Sequence, residues 1–411
     1  MKFKMFVCVA QNAPSPPRGR AKESPPSMSQ AASSSVNVDA QRIDPDALAI
    51  LERLRGGGFQ ALLVGGCVRD LLLGRTPKDF DIATDARADQ IHALFEESLL
   101  LGGRGSVVAL VFQGGKRFDV ATLRPVRTPA STPRVPMDAD LVAVAREVPV
   151  GTVAQDAASR DFSVNALFHD PFEGRTLDFV GGVADVHGRV LRSLGEPAAR
   201  FQDDPSLVYR ALRIGARRDL SVEPRTLEAL RDGVAALPSS PLSLRIHELL
   251  ECLALGVAGL CLRRMRELDV LKQTLPAFAR LGAAGWNELI ALGDAMDRWE
   301  GEGRALGHPT RLAALLLPLA LADSPPTGDW LPAVSELVPT DEGAERHPLV
   351  ADGLTVLAAQ GVLRQGPDSP GARELLGSHL LSESLDVFAL SIEAVGGARG
   401  PLDAWRARQG T

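Results

Sequence analysis

Apolar residues recur along this chain with two different periods, and the change from one to the other divides it. From Asp44, Ala47, Leu48, Leu51 and Leu54 follow helical spacing as far as the breaker Gly56-Gly57-Gly58. Gln60 to Val64 then reads as a short buried strand. Up to about Val190, apolar runs alternate with turns: Ser106 to Phe112, Phe118 to Leu123 and Leu177 to Val180 as strands, Ala88 to Leu99 as a helix. This alternation predicts an α/β domain. Pro125 to Glu147 holds four prolines with little periodicity, which predicts a long mobile loop. Beyond Glu196 the period is helical throughout, in Leu242 to Leu255, Val257 to Leu271, Arg311 to Leu321 and Ser382 to Glu393, so the remainder is expected to be all-α. Residues 11–40 are rich in Pro, Ser and Ala and lack the large apolar side chains that would repay ordering, so a disordered tail is expected there.

Composition narrows the picture modestly. The 411 residues are 45% hydrophobic with a net charge of −6, an ordinary soluble balance with material for two or three domains. No run approaches the roughly 18–20 apolar residues that span a bilayer, so a cytoplasmic protein with no membrane partner is expected. Cys8, Cys67, Cys252 and Cys261 form no CxxC pair and indicate neither a disulfide framework nor zinc. Residues 1–60 carry eight basic and five acidic groups, while residues 251–411 carry 14 and 21. A globally basic nucleic-acid binder is excluded, and any polyanion must be held by local arginines.

The densest chemistry lies in Leu62 to Gly74, LLVGGCVRDLLLG. A strand runs into Gly65-Gly66, whose missing side chains allow backbone N–H groups to approach a phosphate, and a helix follows with Arg69 in its first turns. Two glycines alone fit a tight turn equally well. Asp79 and Asp81 alter that balance, because residues two apart in an extended segment share a face, and paired carboxylates suit a hard divalent cation. Phe80 between them is expected to face the core. Arg210, Arg213 and Arg217 recur on one helical face, as either a phosphate-facing ridge or a solvated surface. His169-Asp170 has no matching second pair and carries no metal-hydrolase signal.

These motifs together resemble the class II tRNA nucleotidyltransferase and bacterial poly(A) polymerase family, in which a strand, GG, RD and DxD form the head motif. Phe118 to Arg124 resembles the strand that supplies a further carboxylate, here Asp119. Asp156 and Ser159-Arg160-Asp161-Phe162-Ser163-Val164-Asn165 resemble the RRDF(T/S)xN segment, with Arg160 as the nucleotide contact. Asp178 to Arg192 resembles the motif joining head to neck. Arg200 to Arg213 resembles the neck helix that reads the incoming base, and Arg245 to Leu249 a later neck motif. The resemblance covers roughly Gln60 to Leu255. Aligning Asp204-Pro205 with the family's DP puts Leu207 where a base-reading Arg belongs, while Asp204, Arg210 and Arg213 are kept; leucine donates no hydrogen bond.

The resemblance implies an α/β nucleotidyltransferase head of mixed sheet with helices, followed by an all-α neck and body. The expected divisions are a disordered tail over 1–43, the head over 44–192, the neck over 193–255 and the body over 256–411. It also implies Mg²⁺ on Asp79 and Asp81, with Asp119 as a further catalytic carboxylate. Gly65, Gly66 and Arg69 would hold the triphosphate, and Arg160, Asp204, Arg210 and Arg213 the sugar, base or phosphates. The implied reaction is template-independent transfer of AMP from ATP to an RNA 3′-hydroxyl, with pyrophosphate released. Val150 to Asn165 and GEPAARFQDDP favour the poly(A) polymerase branch. Arg104-Gly105-Ser106-Val107 favours CCA addition to tRNA, with CTP as a further substrate. Leu207 motivates a third reading, a catalytically weakened RNA-binding paralogue. Nothing in the sequence specifies an oligomeric state.

Overall fold

The computed structural model of the chain describes residues 32–34, 38–102, 107–125, 140–323, 330–338 and 347–409. Two compact units are formed, one from residues 1–197 with 221–226, the other from 198–220 with 227–411.

The first unit is built on an eight-stranded mixed sheet. Its strands are β1 (Ala32–Ser34), β2 (Ala61–Val64), β3 (Asp81–Thr84), β4 (Ser98–Gly102), β5 (Val107–Gln113), β6 (Lys116–Thr122), β7 (Leu167–Asp170) and β8 (Arg175–Asp178). Their spatial order is β1-β8-β7-β2-β3-β6-β5-β4. All neighbours are antiparallel except β3 and β6, which run parallel with Ile82 opposite Val120. The helices of this unit are α1 (Pro45–Gly56), α2 (Gly66–Leu72), α3 (Ala88–Leu94), α4 (Leu141–Glu147), α5 (Val153–Ser159) and α6 (Gly182–Gly188). Helix α1 starts because Asp44 accepts the N–H of Asp46 and Pro45 presets the first turn. It buries Ala47, Ile50, Leu51 and Leu54 completely. Leu62, Val64, Ala83, Ala157, Ala166 and Phe168 pack into one cluster under α5, which fixes the central strands against the segment carrying Arg160.

Several expectations need correction. The helix expected over Ala88 to Leu99 stops at Leu94, and Ser98–Gly102 is the edge strand β4. Ser98 there donates its hydroxyl to Phe95 O and ends the helical path. Strand β8 lies two residues before the expected Leu177 to Val180, because the Asp178 carboxylate accepts the N–H groups of Val180, Gly181, Gly182 and Val183 and turns the chain. Gly182 is required in that turn, since a Cβ would stand 2.3 Å from Ser163 O. In the expected loop over 125–147, Leu141–Glu147 is the helix α4, capped by Asp140, and 126–139 lie outside the described residues. Within the expected disordered tail over 1–43, Ala32–Ser34 pair with β8, and Ala40–Arg42 form a 3₁₀ turn capped by Asp39. Residues 221–226, placed by sequence in the neck, return to the first unit as a strand, Ser221–Val222, parallel to Val190–Leu191.

The second unit is helical. Leu207–Arg218, α7 here, buries Leu207, Val208, Tyr209, Ala211, Leu212, Gly215 and Ala216, leaving Arg210, Arg213 and Arg217 on its partly exposed side. Leu242–Cys252 (α8) and Ala258–Glu267 (α9) pack against it. Tyr209 anchors the arrangement through a 2.6 Å hydrogen bond between its hydroxyl and Thr274 Oγ1. Longer helices follow at Ala283–Gly301, His308–Asp323, Pro348–Leu363 and Leu381–Val395. Among the described residues no helix is long and apolar enough to cross a membrane.

Candidate active site

The turn between β2 and α2 is one wall of the site. Gly65 has φ +79° and ψ −128°, a conformation that side chains rarely adopt. A Cβ there would also stand 3.2 Å from Arg160 Nη1 and 4.0 Å from Asp81 Oδ2. The missing side chain is therefore what lets the guanidinium approach this backbone, while the carboxylate lies at ordinary contact distance. The Gly65 N–H already donates to Leu167 O at 3.0 Å, which ties the turn to β7. Arg69 is 7% exposed; its Nε donates to Asp70 at 2.9 Å and its Nη1 to Asn165 Oδ1 at 2.6 Å. Asn165 in turn donates to Asp161 at 3.3 Å. Arg69 thus clamps the segment 161–165 onto α2, and a Cβ on Gly66 would touch its guanidinium at 3.4 Å.

Three carboxylates converge opposite that wall. Asp81 opens β3, Asp79 is exposed two residues earlier, and Phe80 between them is 7% exposed and faces inward as expected. Asp119 on β6 precedes Val120 as Asp81 precedes Ile82, so the parallel pairing brings the two acids onto neighbouring strands. The Asp81 carboxyl is pushed up to about 6, first by the protein around it, then by the negative charge of Asp119, with Asp79 adding to the effect and Arg160 opposing it. Asp81 keeps solvent contact, so this is the desolvation of a cleft wall and not of a sealed core. No trio of His, Cys, Asp or Glu among the described residues stands arranged as a finished metal site. The donor set nonetheless suits a hard divalent cation, which would neutralise the repulsion that raises Asp81. Cys67 lies beneath, its thiol donating to Val64 O at 3.2 Å and pushed up to about 12 by burial, which leaves it an inert packing group.

Arg160 links the two walls, and its support was only partly legible in sequence. Its guanidinium meets Asp156 at 3.3 Å and lies 5.2 Å from the Phe168 ring centre. Asp156 is 1% exposed and also binds Arg124 at 3.0 Å, so one buried carboxylate holds two arginines. The i, i+4 spacing of Asp156 and Arg160 was the available signal; Arg124 had none, because tertiary folding alone brings it there. Ser159, where the family pattern has an Arg, donates its hydroxyl to Asp156 O at 2.8 Å within α5.

The neck candidates Asp204, Arg210 and Arg213 lie in the second unit. Asp204 Oδ1 accepts both the N–H of Ser206 at 3.2 Å and its hydroxyl at 2.5 Å. Leu207 is 3% exposed and belongs to the core of α7. Arg213 pairs with Glu251 at 3.1 Å and lies 3.8 Å from Glu248. Burial raises the Glu248 carboxyl, with Arg213 and then Arg210 opposing, so both arginines face an acidic partner on α8. Arg245 of the later neck motif donates to Gln273 O and Thr274 O and fastens α8 to the following helices.

Residues 61–192 match the family model for the poly(A) polymerase head domain. Poly(A) polymerase I of Haemophilus influenzae is 34% identical over 243 residues, covering 59% of this chain and 54% of that protein. A CCA-adding enzyme of Streptococcus suis is 35% identical over 185 residues, covering 45% and 43%. The chain thus spans about half the length of the curated relatives it matches. In fold, it is similar to the Bacillus stearothermophilus CCA-adding enzyme solved in complex with CTP, with a TM-score of 0.61 over 89% of this chain and 82% of that one, at 24% identity. The glycine turn, the three acids and Arg160 all fall within the segment that matches the poly(A) polymerase head domain.

Proposed function

We propose that this chain transfers AMP from ATP to the 3′-hydroxyl of an RNA, without a template and with release of pyrophosphate, as a poly(A) polymerase does. The observation that carries this reading is the convergence of Asp81 and Asp119 on adjacent strands with Arg160 held against Gly65. Asp79 and Asp81, with Asp119 beside them, would hold Mg²⁺, which acidifies the attacking hydroxyl and offsets the charge of the triphosphate. Arg160, fixed by Asp156, presents its guanidinium where the nucleotide phosphates or sugar would lie along the Gly65 turn. Arg69 supports this from within the wall, by fixing Asn165 and so the segment behind Arg160. In the step itself the RNA O3′, its proton passing to solvent, forms a bond to the α-phosphorus as the bond to the pyrophosphate oxygen breaks. Asp204, Arg210 and Arg213 are assigned to the nucleotide within a neck over 193–255, the body being 256–411. An RNA-modifying role fits residence in the cytoplasm.

The identity to the Streptococcus CCA-adding enzyme supports a second reading, addition of CCA to tRNA with CTP as well as ATP. The burial of Leu207 supports a third, a paralogue that binds RNA but turns over poorly. Incubation of the purified chain with Mg²⁺, each nucleoside triphosphate separately, and either an oligo(A) primer or tRNA lacking its CCA end separates the three. A lengthening ladder with ATP on oligo(A) is expected; a short C- and A-dependent product confined to tRNA would replace the main reading, and no product with either RNA would leave the third.

A further inference from the structure

Asp119 carries an ion pair of its own. On β6, Phe118 and Val120 are buried, at 3% and 0%, so Arg117 and Asp119 share the accessible face of the strand. Arg117 Nε lies 3.5 Å from Asp119 Oδ1, and both side chains are open to solvent, at 63% and 46%. On that face the neighbour of Asp119 across β5 is Leu110, which is buried and carries no charge. Because β3 and β6 run parallel, the side of Asp119 on which Arg117 lies is also the side of Asp81 from which Asp79 leads in. Arg117 and the exposed Asp79 therefore border the same end of the acid row. Three carboxylates, Asp79, Asp81 and Asp119, thus stand with two guanidinium groups, Arg117 beside Asp119 and Arg160 beside Asp81 at the Gly65 turn. With all five ionised the excess is one negative charge, which a divalent cation turns into one positive charge.

We propose that Arg117 is a positioning residue that exchanges partners: it holds Asp119 while the acid row carries no cation, and turns to the nucleotide triphosphate once Asp119 is given over to the metal. The inference rests on reading the acids as the site of a divalent cation. The exposure of the pair permits the exchange, since a solvated ion pair is weak and its guanidinium can turn without stranding a buried charge. Arg160 has no such freedom, because its carboxylate partner Asp156 is 1% exposed and would be left buried and unpaired. Once the charge of Asp119 is taken up by a cation, Arg117 gains more from a phosphate oxygen than from the neutralised carboxylate. Arg117 then opposes a cation that arrives alone and favours one that arrives with a polyphosphate. Metal and nucleotide are coupled through one side chain.

The test uses the full chain and two binding measurements made without RNA, so that it does not depend on turnover. Mn²⁺ alone is titrated by loss of the free-ion paramagnetic resonance signal, and Mg²⁺ with a non-hydrolysable ATP analogue by calorimetry, both at low salt. Arg117→Gln is expected to bind Mn²⁺ about threefold more tightly than wild type and the magnesium nucleotide about threefold more weakly. Arg117→Lys keeps the charge and should return both constants most of the way to wild type. Damage to the fold would weaken both, so the opposite signs separate the exchange from a structural role. Asp119→Asn is the control for the site itself and should weaken Mn²⁺ binding about tenfold or more. Unchanged or weaker Mn²⁺ binding by Arg117→Gln, or unchanged nucleotide binding, would overturn the exchange while Asp119→Asn still marks the acids as the metal site. Unchanged Mn²⁺ binding by Asp119→Asn would overturn that reading of the acids, and the exchange with it.

Discussion

At the scale of single residues, Asp81 carries opposite consequences for stability and activity. A carboxyl raised from 3.8 to about 6 binds its proton more tightly in the folded than in the unfolded chain, so its contribution to metal-free stability falls as pH rises from about 4 to 6 and stays unfavourable above that window. Asp81→Asn should therefore keep or raise Tm in chelator at neutral pH. On the proposed reading, nucleotide addition should fall by roughly 10³-fold or more in the same variant, and in Asp79→Ala, because a carboxylate proposed to hold the cation is gone. Thermal melts and single-nucleotide extension check the two halves; near-normal extension by either variant would refute the carboxylate assignment. Arg160 offers a second test. Its planar fork spans Asp156 and the Gly65 turn, so Arg160→Lys keeps the charge and loses the geometry. The KM for ATP should rise about tenfold with little change in far-UV circular dichroism.

At the scale of elements, α7 decides what the absent base-reading arginine means. Sequence placed Leu207 at the position of a hydrogen-bonding arm, which made Leu207→Arg an obvious route to sharper base choice. The helix buries that position, and Ser206 already occupies one oxygen of Asp204. The longer cation would enter an apolar environment with no carboxylate reserved for it, at a cost of about 3 kcal/mol. Leu207→Arg should therefore lower the denaturation midpoint and leave the kcat/KM ratios among ATP, CTP, GTP and UTP unsharpened; a gain in discrimination with unchanged stability would mean the side chain reaches the base after all. The β2–α2 turn shows the converse, a short element fully readable in advance. Gly65 takes a backbone conformation that only glycine adopts easily, and its Cβ position is nearly taken by Arg160.

At the scale of the whole molecule, the net charge of −6 sets the character of the proposed RNA binding. Several arginines are committed internally: Arg124 to Asp156, Arg263 to Asp294, and Arg311 to Glu300. Few phosphates can then be neutralised, and the slope of log K against log salt on single-stranded RNA should be shallow, about −2 for three contacts. Fluorescence titrations between low and moderate salt measure it. A slope several times steeper would require a basic surface outside the pairs named here.

What the sequence determined by itself was local and periodic. The strand–GG–helix turn, the paired acids around a buried Phe80, the helical spacing beyond Glu196 and the Asp156–Arg160 interval are all short-range patterns, because backbone conformation and side-chain direction follow from neighbouring residues. Tertiary structure decided everything that depends on distant partners. Whether Ser98–Gly102 continues a helix or closes a sheet edge depends on its pairing with β5, which no local period encodes. Whether Arg69 is a phosphate arm or a clamp depends on Asn165, 96 residues away. Arg124 reaches Asp156 only because its neighbour Leu123 shares a core cluster with Val153 and Ala157 of α5, and Asp119 reaches Asp81 only because β3 and β6 run side by side. Composition supplied the residue types, while the long-range contacts, whose loop-closure cost is repaid only by the assembled core, decided which of them meet.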